Sequence, residues 1–221
     1  MSESRPRIAI IGTGAIGGYY GMQLALAGHD VHFLLRSEYE AVRERGLRVN
    51  SAVLGSQHLA NVQAYRSADQ MPACDWLFVA TKSTATAALL PAIAQVAAPG
   101  AKVVLLQNGL AVEDEIRPLL PAGVHLLGGL CAIYAHRSAP GVVEHQALGS
   151  INLGYHSGPA ESDEARQAVL AAGVAMLKAA GVGSVAMSSL EQARWIKLVW
   201  NVPFNGLSVL LNAGTAALLA D

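Results

Sequence analysis

Charge is scarce in this 221-residue chain: Asp, Glu, Lys and Arg make up 14% of it and the formal net charge is −1. No basic run stands out, so the electrostatic footprint of a nucleic-acid binder is missing and no such partner is expected. Cysteine is nearly absent. Cys74 and Cys131 lie far apart without a CxxC, which argues against a disulfide framework or a cysteine-based zinc site. The seven histidines follow no spacing that gathers several ligands, so no metal is expected. The G-x-S-x-G of serine hydrolases and the G-K-[ST] ending of an NTP-binding loop are both lacking. The segment Met1 to Arg7 is polar and leads straight into a strand, so it is not a signal peptide and a cytoplasmic location is expected. Uninterrupted apolar spans are missing too. Stretches 83–101 and 202–220 carry no charge, but Pro91, Gln95 and Pro99 punctuate the first, and Pro203, Asn205, Asn212 and Gly214 the second. A bilayer span needs about 20 predominantly apolar residues, so both read as buried helices and no membrane partner is expected.

Apolar residues, at 52%, are ample for a core. Arg7–Ile11 reads as a short buried strand. Gly12-Thr13-Gly14-Ala15-Ile16-Gly17 follows at once and opens a helical run from Ala15 to Ala27. G-x-G-x-x-G between a strand and a helix is a dinucleotide fingerprint: the first glycine turns the chain, the second admits a pyrophosphate, and the third lets helix and strand pack closely. The helix N-terminus then faces the phosphates with its partial positive charge. Val31–Leu35 is the second strand. Arg36 stands at its end, where NAD enzymes place an acidic residue, and an arginine there suits the 2′-phosphate of NADP. Glu38 lies beyond the strand end and is the weaker candidate for a ribose contact.

Stretch 46–64 reads as an irregular or hairpin insert. Strands are expected at 75–80 and 102–106, ending at Thr81-Lys82 and Gln107-Asn108-Gly109; Lys82 and Asn108 thus sit at the edge where parallel sheets bind ligands. A helix over 84–96 should be kinked or split by Pro91, and a short one over 112–120 limited by Pro118. Further strands are expected at 125–130, 141–145 and 150–153, and an Ala-rich helix at 163–180. Strand–helix alternation predicts an α/β fold with a mostly parallel sheet: a Rossmann-type NADP-binding domain over residues 1–185, followed by an all-helical domain whose first part is 186–221.

The last helix carries the second motif. Ser188-Ser189-x-Glu191 is a capping signal. Lys197, Asn201 and Asn205 then recur every four residues, which at about 3.6 residues per turn puts them on one stripe. One cation and two amides can bind a small oxygen-rich ligand. A lysine partly desolvated among Trp195, Val199 and Trp200 can act as a proton donor, since desolvation lowers its pKa. Pro203 removes one helical hydrogen bond and is expected to kink the stripe.

On these residues the chain resembles the ketopantoate reductase (2-dehydropantoate 2-reductase) family. The resemblance runs along the whole chain: the glycine loop, Arg36, Thr81-Lys82, Gln107-Asn108-Gly109, A-P-G-V-V-E-H at 139–145, and K-x-x-x-N-x-x-x-N. It implies that Lys197 is the catalytic acid and that Asn201 and Asn205 hold the substrate. It implies NADP(H) contacts from the glycine loop, Arg36, Lys82, Asn108 and Ala135, and a reaction in which NADPH reduces ketopantoate to (R)-pantoate on the way to pantothenate and coenzyme A. Two departures are expected to matter. Thr215 stands where a family member has a further asparagine, and family members continue past residue 221 with more of the helical domain. The apolar run 202–220 would then lack its cover, and a homodimer through the helical region is one expected outcome. Two alternatives stay open: a relative acting on another 2-keto acid or of the glycerol-3-phosphate dehydrogenase type, and a chain that binds NADP(H) without turnover.

Overall fold

The structure, a computed structural model, describes residues 5–219. Strand β1 (Arg7–Ile11) leads into helix α1 (Ala15–Leu26) and β2 (Asp30–Leu34). Helix α2 (Tyr39–Arg45), strands β3 (Leu47–Ser51) and β4 (Gly55–Leu59), and the short β5 (Gln63–Tyr65) follow. Next come β6 (Cys74–Val79), α3 (Ser83–Val96), β7 (Ala97–Leu105) and α4 (Val112–Ile116). The chain continues with β8 (His125–Ala139), β9 (Val142–Ser157), α5 (Asp163–Ala179), α6 (Leu190–Leu210) and α7 (Thr215–Leu218).

The described strands form one nine-stranded sheet in the order β4-β3-β9-β8-β7-β6-β1-β2-β5. From β5 to β8 all pairs are parallel. Setting aside the β3–β4 hairpin, these six strands run third, second, first, fourth, fifth, sixth in chain order, which is the Rossmann arrangement. Its switch point lies between β1 and β6, beside the glycine loop.

Alternation along β1 explains why it is apolar throughout. Ile8 and Ile10 enter the core with Tyr20, Met22 and Leu24 of α1 and with Leu170 and Leu177 of α5. Ala9 and Ile11 face Leu90, Ile93 and Val96 of α3 and Val112 and Ile116 of α4. A strand buried on both faces needs no polar side, and each fully buried Ile or Leu contributes about 1.5–3 kcal/mol.

Several expectations are corrected. The two short strands at 141–145 and 150–153 are one strand, β9, joined to β8 by the tight Pro140-Gly141 turn. So short a turn permits only antiparallel pairing, and the sheet, mostly parallel as expected, is mixed at two pairs: β8–β9 and β3–β4 are antiparallel. The 46–64 insert is a hairpin, one of the two forms expected, and it is tied in by parallel pairing of β3 with β9. Helix α3 is not split by Pro91, which lies on its exposed side. The 112–120 helix ends as α at Ile116 and finishes as a 3₁₀ turn over Arg117–Leu119. Helix α2 and strand β5 were not anticipated; α2 is seven residues long, with Val42 buried, and helices that short depend on such packing rather than on propensity.

Helix α6 starts at the expected cap, with Ser189 Oγ accepting from the Gln192 N–H at 3.2 Å. Its first residue, Leu190, drops into a notch made by two cross-strand glycines, Gly128 of β8 and Gly154 of β9. A Cβ on Gly128 would lie 2.5 Å from Leu190 Cδ1, and one on Gly154 would lie 2.8 Å from Leu190 Cβ. The helix is uninterrupted through Pro203 to Leu210, and Pro203 itself is exposed. Beyond the notch, Trp195, Ile196, Val199, Trp200 and Val202 are exposed. Among the described residues no helix is long and apolar enough to cross a membrane.

Candidate active site

The glycine loop sits where β1 and β6 end. The Ala80 N–H donates to the Ile11 carbonyl at 2.8 Å. Gly12 has φ +94°, and a Cβ there would fall 2.9 Å from the Thr81 backbone nitrogen, so only glycine lets the two strand ends meet. Gly17 packs against the loop itself: its Cβ would be 2.1 Å from the Gly12 carbonyl oxygen. Gly14 caps α1 without a side-chain acceptor, and nothing lies within 4 Å of a Cβ placed on it. The first amides of α1, with Ala15 and Ile16 half-buried beside them, therefore open onto free space. Thr13 is buried and its Oγ1 has no partner within the protein. An uncapped helix N-terminus, an open Cβ position and an orphaned hydroxyl fit a bound pyrophosphate.

Arg36 is exposed just past β2. Glu38 is buried, and its carboxylate pairs with Arg137 of β8 and accepts from the Gly141 N–H at 2.6 Å. It is committed to holding the β8–β9 turn, which leaves Arg36 as the strand-end side chain facing solvent. Ala135 is half-buried on the extension of β8, two positions before Arg137.

The other loops join the same edge. Lys82 is exposed at the cap of α3. Gln107, buried at the end of β7, donates from Nε2 to the Thr81 carbonyl at 3.0 Å. Asn108, the next residue, is exposed. Arg194 of α6 is buried and donates from Nη1 to the carbonyls of Gln107 (3.1 Å) and Gly109 (3.0 Å), while Nη2 pairs with the Glu113 carboxylate of α4. Glycine loop, Thr81, Gln107 and α6 are thus linked in sequence along the carboxyl edge of the sheet.

Lys197 comes one turn after Arg194. Its Nζ donates to the Cys131 carbonyl at 2.8 Å. The β7–β8 ladder ends at Leu105 with Gly128, so β8 has lost its β7 neighbour by Cys131 and this edge of the strand is open to α6. Burial pushes the Lys197 amine below the ordinary lysine value; a charged Cys131 would oppose that, and Arg194 adds to it. Burial also pushes the Cys131 thiol up to about 11, so near neutral pH it carries no charge to offset the shift. A small cleft is lined by Gly109, Arg194, Lys197, Leu198 and Asn201. Asn201 is half-buried in it, whereas Asn205, a turn further on, is exposed. Thr215 has its backbone in α7, but its side chain lies outside the described residues.

The structure therefore brings Gly12–Gly17, Lys82, Asn108 and Lys197 to one edge, with Arg36 at a neighbouring strand end. Sequence reasoning missed Arg194, Glu113 and Cys131. Nothing local marks them: Glu113 looks like a helix-start acid, and its partner stands 81 positions away. Among the described residues no three His, Cys, Asp or Glu side chains gather as metal ligands.

The sequence profile of the family described as ketopantoate reductase PanE/ApbA matches residues 8–158. The chain is 42% identical over 219 residues to a 2-dehydropantoate 2-reductase of Nostoc sp., an alignment covering 97% of this chain and 66% of that protein. Among solved structures, the 2-dehydropantoate 2-reductase of Geobacter metallireducens superposes with a TM-score of 0.81 at 36% identity, over 93% of this chain and 66% of that one. That of Methylococcus capsulatus gives 0.79 at 37% identity, over 94% and 65%. This chain spans about two thirds of the length of each of these three relatives, at 66%, 66% and 65%. With the family match running over most of the sheet, from the glycine loop to the end of β9, the chain belongs to the ketopantoate reductase PanE/ApbA family.

Proposed function

We propose that this chain is the nucleotide-binding part and the first substrate-binding helix of an NADPH-dependent 2-dehydropantoate 2-reductase, which makes (R)-pantoate. The observation that carries the reading is Lys197: a partly buried amine with lowered pKa, held at the carboxyl edge that also presents the open glycine loop. Residues 1–185 form the cofactor-binding unit and 186–221 begin the helical unit. NADPH, when bound, supplies the hydride for the keto carbon.

The chain's own residues do the rest. The α1 amides behind Gly14 bind the pyrophosphate and Arg36 the 2′-phosphate, while Lys82, Asn108 and Ala135 flank the remainder of the cofactor. Protonated Lys197 donates a hydrogen bond to the keto oxygen, stabilises its developing negative charge and then transfers the proton to it. Asn201 and Asn205 bind the substrate hydroxyl and carboxylate. The reading includes a cytoplasmic location and self-association through the exposed apolar face of α6.

Oxidation of NADPH with 2-dehydropantoate, followed by absorbance against a panel of other 2-keto acids, tests it. Preferential turnover of 2-dehydropantoate is expected. Turnover of a different 2-keto acid would reassign the substrate, and NADPH binding by calorimetry without any turnover would reduce the function to nucleotide binding.

A further inference from the structure

We propose that Arg194 is a positioning residue: clamped by Glu113, it locks the Gln107–Gly109 turn and the Lys197 face of α6 into one unit, so that nucleotide edge and proton donor are set together. The proposal rests on the reading of Lys197 as the proton donor.

Geometry carries it. Arg194 and Glu113 are among the few charged residues buried among the described ones, at 4% and 2% exposure. Removing two charges from water is costly unless the pair is well hydrogen-bonded. Here the guanidinium fork makes two bonds to backbone carbonyls and one to the carboxylate. Those carbonyls belong to Gln107 and Gly109, on either side of Asn108. Nη1 spans the two carbonyls while Nη2 holds the carboxylate, a spread over two nitrogens that a single lysine ammonium does not reproduce; Nε alone finds no partner. Lys197, three residues on, shares the Arg194 face of the helix, and both line the cleft with Gly109 and Asn201. A shift of Arg194 would therefore displace Asn108 and Lys197 together. Leu190 in its glycine notch anchors the helix start, but it makes none of these polar contacts.

The arrangement also bears on the Lys197 amine, whose pKa is lowered first by burial and further by Arg194. The groups facing its amine are the Cys131 carbonyl and thiol of β8, with Tyr20 of α1 beside that thiol, Arg194 on α6, and Glu113 of α4 behind Arg194. Arg194 disfavours the protonated amine, and Glu113 balances Arg194.

The test uses the full chain with ¹³Cε-labelled lysine. Only four lysines, Lys82, Lys102, Lys178 and Lys197, give signals, and Lys197→Arg assigns the one needed. Glu113→Gln leaves the arginine charge uncompensated, so the Lys197 titration should move to lower pH. Glu113→Gln/Arg194→Met removes both charges and leaves no buried ion unpaired; its Lys197 titration should lie about one pH unit above that of the single variant. The double variant should bind NADPH about tenfold more weakly by calorimetry, because Asn108 loses the Arg194 contacts on either side of it, whereas Glu113→Gln, which keeps them, should lose less. Wild-type titration and wild-type NADPH affinity in folded variants would overturn the proposal. So would a double variant that fails to fold, since the pair would then determine the fold rather than position the site. If the wild type neither binds NADPH nor reduces a 2-keto acid, the functional reading fails, while the lysine titrations still judge the role of Arg194.

Discussion

The Lys197 amine and the Cys131 carbonyl meet at 2.8 Å across 66 positions of sequence. That bond fixes the amine over β8 at the point where the strand has left β7. It gives a partly desolvated lysine one permanent acceptor and leaves its remaining N–H donors for the cleft.

Lys197→Met should lower turnover of 2-dehydropantoate by about 10²–10⁴, the usual worth of a positioned acid, while NADPH affinity by calorimetry changes little. An unaltered turnover number would remove Lys197 from the chemistry.

The pH profile has a definite sign. In the proposed reaction the protonated amine is the acid, and burial lowers its folded pKa below the ordinary 10.5. Activity should therefore be full below that folded pKa and decline as pH rises through it, earlier than for a solvent-exposed lysine. Steady-state turnover measured across alkaline pH, with buffers matched for ionic strength, checks this; a decline only at or above the ordinary lysine value would contradict the burial argument.

Gly14 and Gly17 should separate binding from folding. A Cβ on Gly17 would press on the Gly12 carbonyl oxygen at 2.1 Å, whereas one on Gly14 meets nothing within 4 Å. Gly17→Ala is expected to cost about 1–3 kcal/mol in chemical denaturation. Gly14→Ala should unfold like the wild type yet bind NADPH at least tenfold more weakly, because its methyl occupies the space kept for the phosphates. Undiminished NADPH affinity in folded Gly14→Ala would place the cofactor elsewhere.

Asn201 is half-buried in the cleft and Asn205 is exposed. Asn201→Ala should lower kcat/KM for the keto acid by about ten- to a hundredfold, the value of one hydrogen bond to a charged group. Asn205→Ala should cost less. A larger loss at Asn205 would show that the substrate lies further along α6 than the cleft suggests.

Arg36→Asp should exchange cofactor preference. Glu38 cannot take over, since Arg137 and the Gly141 amide hold its carboxylate. The ratio of NADPH to NADH affinity should fall by about tenfold or more with the loss of one charge-assisted phosphate contact. A ratio equal to that of the wild type would assign the 2′-phosphate to another residue.

Much of this molecule was legible in the chain alone. Apolar strands bounded by turn residues announce β1, β6 and the body of β7, because a strand buried on both faces must be continuously hydrophobic. The glycine loop is legible because each glycine answers a local steric demand, and Ser189 because an N-cap is a contact between near neighbours. The four-residue recurrence of Lys197, Asn201 and Asn205 is likewise a local fact, since helix periodicity alone places them on one stripe. Tertiary structure decided what local rules cannot reach. The hairpin at Pro140-Gly141 turned two expected strands into one and made the sheet mixed. Glu38, already the weaker ribose candidate in the sequence, was tied to Arg137, 99 residues away, and Asn201 was half-buried while Asn205 stayed exposed. Above all, the Arg194–Glu113 pair and the Cys131 carbonyl under Lys197 join residues that share no sequence pattern. Their energies depend on burial, and burial is settled only when the chain has folded.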